Sequence, residues 1–535
     1  MAGGEIHEVE TVFLVLLLVV VVFAALARKL NTPYPIVLVI AGLVVSFIPG
    51  MPRITLNPDV IFLVVLPPLL YSAAWVTSWR DFRFNLVSIF FLAFGLVGFT
   101  ALGVAETTRW VFRGFDWRLG FVLGSVVATT DAIAATSIAK RVGLPQRIVD
   151  VLEGESLVND ATGLLALEFA IAMVVNGRTP TLASGLGRIL YLVVVGIAIG
   201  LIAGFLVAWL ERHIDDAQIE IVAGLLVPYA VYLGAEAIRT SGVLAVVTCG
   251  LYLSRQSSEF FSPSVRLKAW AVWDSLTFAL NGVVFVIIGL QLPYVLAGIR
   301  EYTLSRLLLY GALFSAIVIV LRLLWIYPGA HLAYFIRVRL MHQSVKIPSN
   351  RQIFVVGWTG MRGVVALAAA IALPVALDDG RPFPERNLII FLTFSVIFVT
   401  LVLQGLTLPP LIRALGLAGA GSSINHTEER EARRLIAQAG LDHLRRARED
   451  DLADFADIYD DFERHYGQRI AGLTGETVAP DHARGHARYR TLMHEVLRVE
   501  RETVVRLRNN GTIGDEALRN IERELDLSET RLSLT

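Results

Sequence analysis

Apolar runs of membrane-spanning length recur between residues 11 and 413, separated by short segments in which charge and proline collect. A crossing needs roughly 17 to 25 predominantly apolar residues, so the pattern predicts about thirteen helices. They fall near 11–29, 35–50, 57–76, 85–110, 118–141, 148–176, 186–210, 216–239, 241–255, 266–292, 304–335, 352–378 and 386–413, the second and ninth being the shortest. After Leu417 the pattern changes. Ala418 to Ser423 reads as a flexible linker by composition. Beyond it, charges of both signs alternate with apolar residues at helical spacing, such as Leu435, Leu441 and Leu444. Asn509-Asn510-Gly511 predicts a turn before a last helix from Asp515 to Leu525. The expected organisation is an all-α integral membrane domain over 1–415, a linker over 416–426 and a soluble helical tail over 427–535.

Composition sharpens this picture without redirecting it. With 55% hydrophobic and 18% charged residues, the chain falls in the membrane class. The formal net charge of zero offers nothing to nucleic acid. The single cysteine, Cys249, cannot form an internal disulfide and reads as a packing residue. Glu5, Glu8 and Glu10 precede the first apolar run, and Arg28 and Lys29 follow it, which predicts an outside N-terminus. An odd number of crossings then places the tail in the cytoplasm, beneath the plasma membrane. Arg80, Arg83, Lys140, Arg141, Arg147, Arg255, Arg266, Lys268, Arg337, Arg339, Lys346 and Arg351 fall on that side; Arg109, Arg113 and Arg118 do not.

Polar residues inside the apolar runs carry the candidate chemistry. Thr129-Thr130-Asp131 interrupts the fifth span, and Gly357, Gly360 and Gly363 around Arg362 interrupt the twelfth. If spans one to six and eight to thirteen are inverted halves, these interruptions correspond, and broken helices in matched positions point to a transporter's midplane site. Pro67-Pro68 predicts a break in the third span. Asp160, in the middle of the sixth, is the strongest candidate. A charge near the bilayer centre costs roughly 2.5 to 3.5 kcal/mol on insertion scales, so such a residue is by default an ion or proton site. Asn159 lies beside it and Ser156 one turn earlier. Oxygen ligands of this kind suit a hard cation. Asp131 and Thr130 are read as part of the same site, with Asp131 as a helix cap the plainer alternative. Glu155 and Arg362 are expected to form a buried ion pair. Asp274, Asn281, Glu236 and Arg322 read as helix contacts or cavity lining, the tryptophans near span ends as interfacial anchors, and His482 with His486 as too few ligands for a metal.

Gly154-Glu155-Ser156-Leu157-Val158-Asn159-Asp160 and Gly360-Met361-Arg362-Gly363 resemble sodium/proton antiporters of the monovalent cation/proton antiporter superfamily, in the bacterial NhaP-like branch related to the animal NHE exchangers. Leu66 to Tyr71, Trp273 to Asn281 and Gly289 are similar as well. The resemblance implies a NhaA-like inverted-repeat fold with two broken crossing helices, a homodimer, and exchange of Na+ or K+ for H+ without a cofactor. It implies that Asp160 is the carrier, with Asp131, Thr130 and Ser156 near the cation, that Asn159 contacts Glu155, and that Glu155 pairs with Arg362. Asn at 159, where the electrogenic branch has a second Asp, implies electroneutral exchange. Ala132 stands where many members have Pro, and Ser72 where some have an acid. A cation channel or electrogenic exchanger on the same carboxylates is the alternative. An intramembrane enzyme is disfavoured, because the spans hold no paired catalytic signature.

Overall fold

The computed structural model describes residues 2–30, 32–48, 57–112, 115–176, 182–214, 216–260, 263–299, 302–377, 380–450, 456–474, 480–510, 521 and 524–529. Among them the chain is helical throughout, apart from one isolated bridge between Ala376 and Pro382. Two compact units divide it, residues 1–422 and 423–535.

In the first unit the helices are α1 (Ala2–Lys29), α2 (Tyr34–Val45), α3 (Pro58–Val76), α4 (Trp79–Val111), α5 (Trp117–Ala128), α6 (Ala132–Val142), α7 (Gln146–Asn176) and α8 (Leu182–Glu211). They continue as α9 (Ala217–Ala237), α10 (Gly242–Phe260), α11 (Pro263–Leu290), α12 (Leu292–Ala297), α13 (Leu304–Arg339), α14 (Asn350–Trp358), α15 (Val364–Ile371) and α16 (Arg386–Ala414). Each of the predicted apolar runs therefore has a helical counterpart. Nine helical segments among the described residues are long and apolar enough to cross a membrane. Their outer faces expose Leu201, Phe205, Leu226, Leu308 and Leu324, as lipid-facing surfaces do.

Two groups of helices build this unit. One core gathers α3, α8, α9 and α10 with the start of α11, around Tyr71, Val231, Val246 and Trp273. The larger core includes α5, α6, α15 and α16, around Leu123, Ile138, Leu367 and Ile397. α13 packs against α14 and α16, and α7 against α5 and α6.

Two expectations change here. Pro67 and Pro68 do not break α3. A wider π-helical turn over Ile61–Val65 precedes them, so the prolines open the α-helical stretch that follows, where a missing N–H is tolerated. Ala420 to Ser423 are not an irregular linker but the first turn of a helix, α17 (Ala420–Asp450). The second unit continues with α18 (Ala456–Thr474) and α19 (Pro480–Asn509). Within it Ala437, Leu441, Leu497 and Val504 are buried, whereas Leu435 is exposed. Arg448 pairs with Asp460 at 2.8 Å. The expected last helix falls mostly outside the described residues, although 524–529 are helical. The side chains of His482 and His486 also lie outside the description.

Candidate ion-binding site

The breaks appear where the polar residues placed them. α5 stops at Ala128 and α6 starts at Ala132; α14 stops at Trp358 and α15 starts at Val364. The two breaks meet directly, since the Asp131 N–H donates to the Met361 carbonyl at 2.8 Å. Four half-helix ends thus face one another in a buried region, two rich in free N–H groups and two in free carbonyls.

Side chains neutralise these ends in pairs. Asp131 caps α6, its Oδ1 accepting from the Ile133 N–H at 2.8 Å. The same carboxylate lies against the start of α15: a Cβ placed on Gly363 would stand 2.6 Å from Asp131 Oδ2. One acidic group therefore serves two N-termini. The carbonyl ends are served by cations. Arg362 Nε donates to Val127 O at 2.8 Å in the last turn of α5, and Arg322 donates to Gly357 O and Val356 O, both at 3.1 Å, in the last turn of α14. Gly360 lets both guanidinium groups approach, because a Cβ there would overlap the Arg322 side chain. Gly363→Ala is accordingly expected to force the breaks apart and cost about 1–3 kcal/mol of stability. An unchanged thermal unfolding midpoint for that variant would contradict the close approach.

The ion pair of Glu155 requires a correction. Its partner is Arg322 of α13, not Arg362. Arg322 Nη2 donates to Glu155 Oε2 at 2.9 Å and Nη1 to Oε1, and both residues are only 1% exposed. The physical reason is that α13 carries Arg322 to a place where one carboxylate and two open carbonyls converge, engaging all three of its nitrogens. Arg362 instead turns to Val127 O and Gly360 O, and its backbone N–H donates to Thr400 Oγ1 at 3.2 Å. The expected contact of Asn159 with Glu155 also runs through an intermediary. Asn159 Nδ2 donates to Thr130 Oγ1, which donates to Glu155 Oε1 at 3.0 Å.

Ser156 ties α7 to the first break from the other side. Its hydroxyl donates to Thr130 O at 3.1 Å and accepts the Ala132 N–H at 3.2 Å. A proline at 132 would have no N–H to give, so this bond depends on the alanine found here. Asp160 differs from all of these. It is buried at 7% exposure, yet among the described residues no hydrogen bond or ion pair engages its carboxylate.

The remaining candidates stand apart. Glu236 Oε1 accepts from the Gly242 N–H at 3.3 Å at the start of α10, Asp274 is exposed, Asn281 is buried in α11 and Cys249 is fully buried. Arg322 is the functional-looking residue that the pattern placed only as a helix contact or cavity lining. The signal that could have found it is an Arg in mid-span, which calls for an acid on another helix.

Comparison with known proteins converges on one family. The family described as sodium/hydrogen exchanger, transmembrane, matches residues 14–414. An uncharacterized Na(+)/H(+) exchanger of Mycobacterium tuberculosis (strain ATCC 25618 / H37Rv) is 34% identical over 527 residues, covering 97% of this chain and 96% of its own. The sodium, potassium, lithium and rubidium/H(+) antiporter of Bacillus pumilus (strain SAFR-032) is 34% identical over 397 residues, 71% of this chain and 57% of its own. In fold, the chain resembles the sodium proton antiporter MjNhaP1 from Methanocaldococcus jannaschii, with a TM-score of 0.56 at 20% identity over 76% of this chain and 99% of that one.

Proposed function

Because the chain belongs to the sodium/hydrogen exchanger family, we propose that it exchanges sodium, or potassium, for protons one for one, by alternating access at Asp160. Family membership makes it a multi-pass membrane transporter of cations and protons. The single observation that carries the mechanistic reading is the isolation of Asp160, a buried carboxylate with no bonded partner among the described residues. A group in that state is neutralised by whatever arrives, either a proton or a partly dehydrated cation, and cannot hold both.

The neighbouring residues divide the remaining work. Asp131, the Thr130 oxygens and Ser156 supply further oxygen to the cation. Asn159, Glu155, Arg322 and Arg362 hold the two breaks in register and neutralise the half-helix ends, so the site reaches both sides without being rebuilt. In this reading the helices form two inverted halves of thirteen crossings, and the bundle of α4 to α7 and α13 to α16 moves against the rest in a homodimer. The N-terminus lies outside the plasma membrane, and residues 427–535 form a cytoplasmic tail joined to the 1–415 transporter domain through 416–426. Sodium and potassium are both proposed as substrates, a breadth supported by a relative named as a sodium, potassium, lithium and rubidium antiporter.

Proteoliposomes report the exchange directly. Internal pH is followed after external sodium, then potassium, with the membrane potential clamped and then reversed. Cation-driven proton movement indifferent to potential is the expected result. Movement that follows the potential would replace one-for-one exchange with an electrogenic exchanger or a channel.

A further inference from the structure

α7 begins, and α13 ends, on the side of the unit where the sequence gathers Arg80, Arg83, Lys140 and Arg141. There two guanidinium groups share one aromatic ring. Arg337 Cζ stands 4.4 Å from the centre of the Phe84 ring and Arg147 Cζ 5.2 Å from it. The ring attracts cations but carries no net charge, so it gathers the two like charges without neutralising either.

Acids stand nearby, Asp81 on α4 among them, but none of them bonds either guanidinium among the described residues. On α7, Asp150 accepts from Gln146 at 2.8 Å and Glu153 pairs with Lys140 at 2.8 Å. Arg337 is 4% exposed, and its Nε donates to Gln343 Oε1 at 3.0 Å, a neutral acceptor. Its Nη2 is buried and has no hydrogen-bond partner among the described residues. Arg147 is exposed and has no carboxylate partner among them. A buried donor and an exposed cation thus stand side by side, and no carboxylate bonds either one among the described residues.

The surroundings select the kind of anion. Phe84 and Phe90 on α4, and Leu332 and Phe335 on α13, are exposed apolar side chains on membrane-spanning helices. A ligand with an anionic head and an apolar body suits both features. Guanidinium forks match phosphate oxygens, and basic pockets between helices at the cytoplasmic face bind lipid head groups. We propose that Arg147, Arg337 and the Phe84 ring form a site for the phosphate of an anionic phospholipid, whose acyl chains cover this apolar surface. The site rests on the membrane location and on the proposed orientation, and is independent of which cation is carried.

The test uses the full-length detergent-solubilised protein, with lipid retention read by native mass spectrometry and stabilisation by thermal unfolding. Phosphatidylglycerol is expected to bind and raise the unfolding midpoint, with phosphatidylcholine and inorganic phosphate having little effect. Arg147→Gln, at an exposed position that leaves the core untouched, is expected to weaken phosphatidylglycerol binding about fivefold. Arg306→Gln, at the opposite end of α13, should bind as the wild type does. Wild-type affinity in Arg147→Gln overturns the site. An equal shift with inorganic phosphate, lost in Arg147→Gln, overturns the lipid and leaves a soluble anion in its place.

Discussion

Asp160→Asn is expected to reduce cation-driven proton movement in proteoliposomes to background, while the purified variant keeps its elution profile and unfolding midpoint. The amide has nearly the shape of the carboxylate but neither takes up a proton nor neutralises a cation. Because no protein group is bonded to Asp160 among the described residues, the change orphans no partner, and stability is spared. This separation of activity from stability distinguishes a carrier from a structural acid. Wild-type exchange in Asp160→Asn would refute the assignment and shift attention to Asp131.

Arg322→Ala is expected to do the opposite kind of damage. Removing one partner of a buried pair leaves an uncompensated charge and costs about 3–5 kcal/mol. Here it also frees the Val356 and Gly357 carbonyls at the end of α14. Folded yield and the unfolding midpoint should fall sharply. Arg362→Ala should be milder, since its bonds run to carbonyls and to Thr400 rather than to an acid. Replacing both members of the pair, as in Glu155→Leu with Arg322→Met, should cost less than the sum of the single changes, because no lone charge remains. If Arg362→Ala unfolded more readily than Arg322→Ala, the Glu155 ion pair would not be the anchor described here.

The parts of this architecture that a sequence shows well are those governed by local chemistry. Thr129 to Asp131 and the glycines around Arg362 marked the breaks because polar and flexible residues inside an apolar run have few other uses. The partner of Glu155 was a different matter. Two arginines in apolar segments were available, 362 and 322, and which one reaches the acid depends on how α13 lies beside α14 and α7. That is a tertiary fact with no trace in spacing. The same holds for the Thr130 relay, since a hydroxyl can donate and accept at once and so stands between Asn159 and Glu155 where direct contact was expected. The π-helical turns over Ile61–Val65, Phe91–Leu96 and Thr400–Gln404 were equally illegible, because an extra residue in a turn leaves the apolar pattern nearly intact.

The solitude of Asp160 bears on efficiency as much as on binding. Left ionised and empty while buried, the proposed carrier holds a charge that no bonded partner among the described residues offsets, a state costing several kcal/mol. Under the proposed alternating access, the bundle makes its stroke carrying a cation or a proton, but idles when it carries neither. Since each 1.4 kcal/mol added to a barrier slows a step about tenfold, a penalty of roughly 4 kcal/mol confines empty strokes to about one in a thousand. On that reading, tight coupling of the two ion gradients, with little leak, follows from a missing hydrogen bond rather than from any added gate.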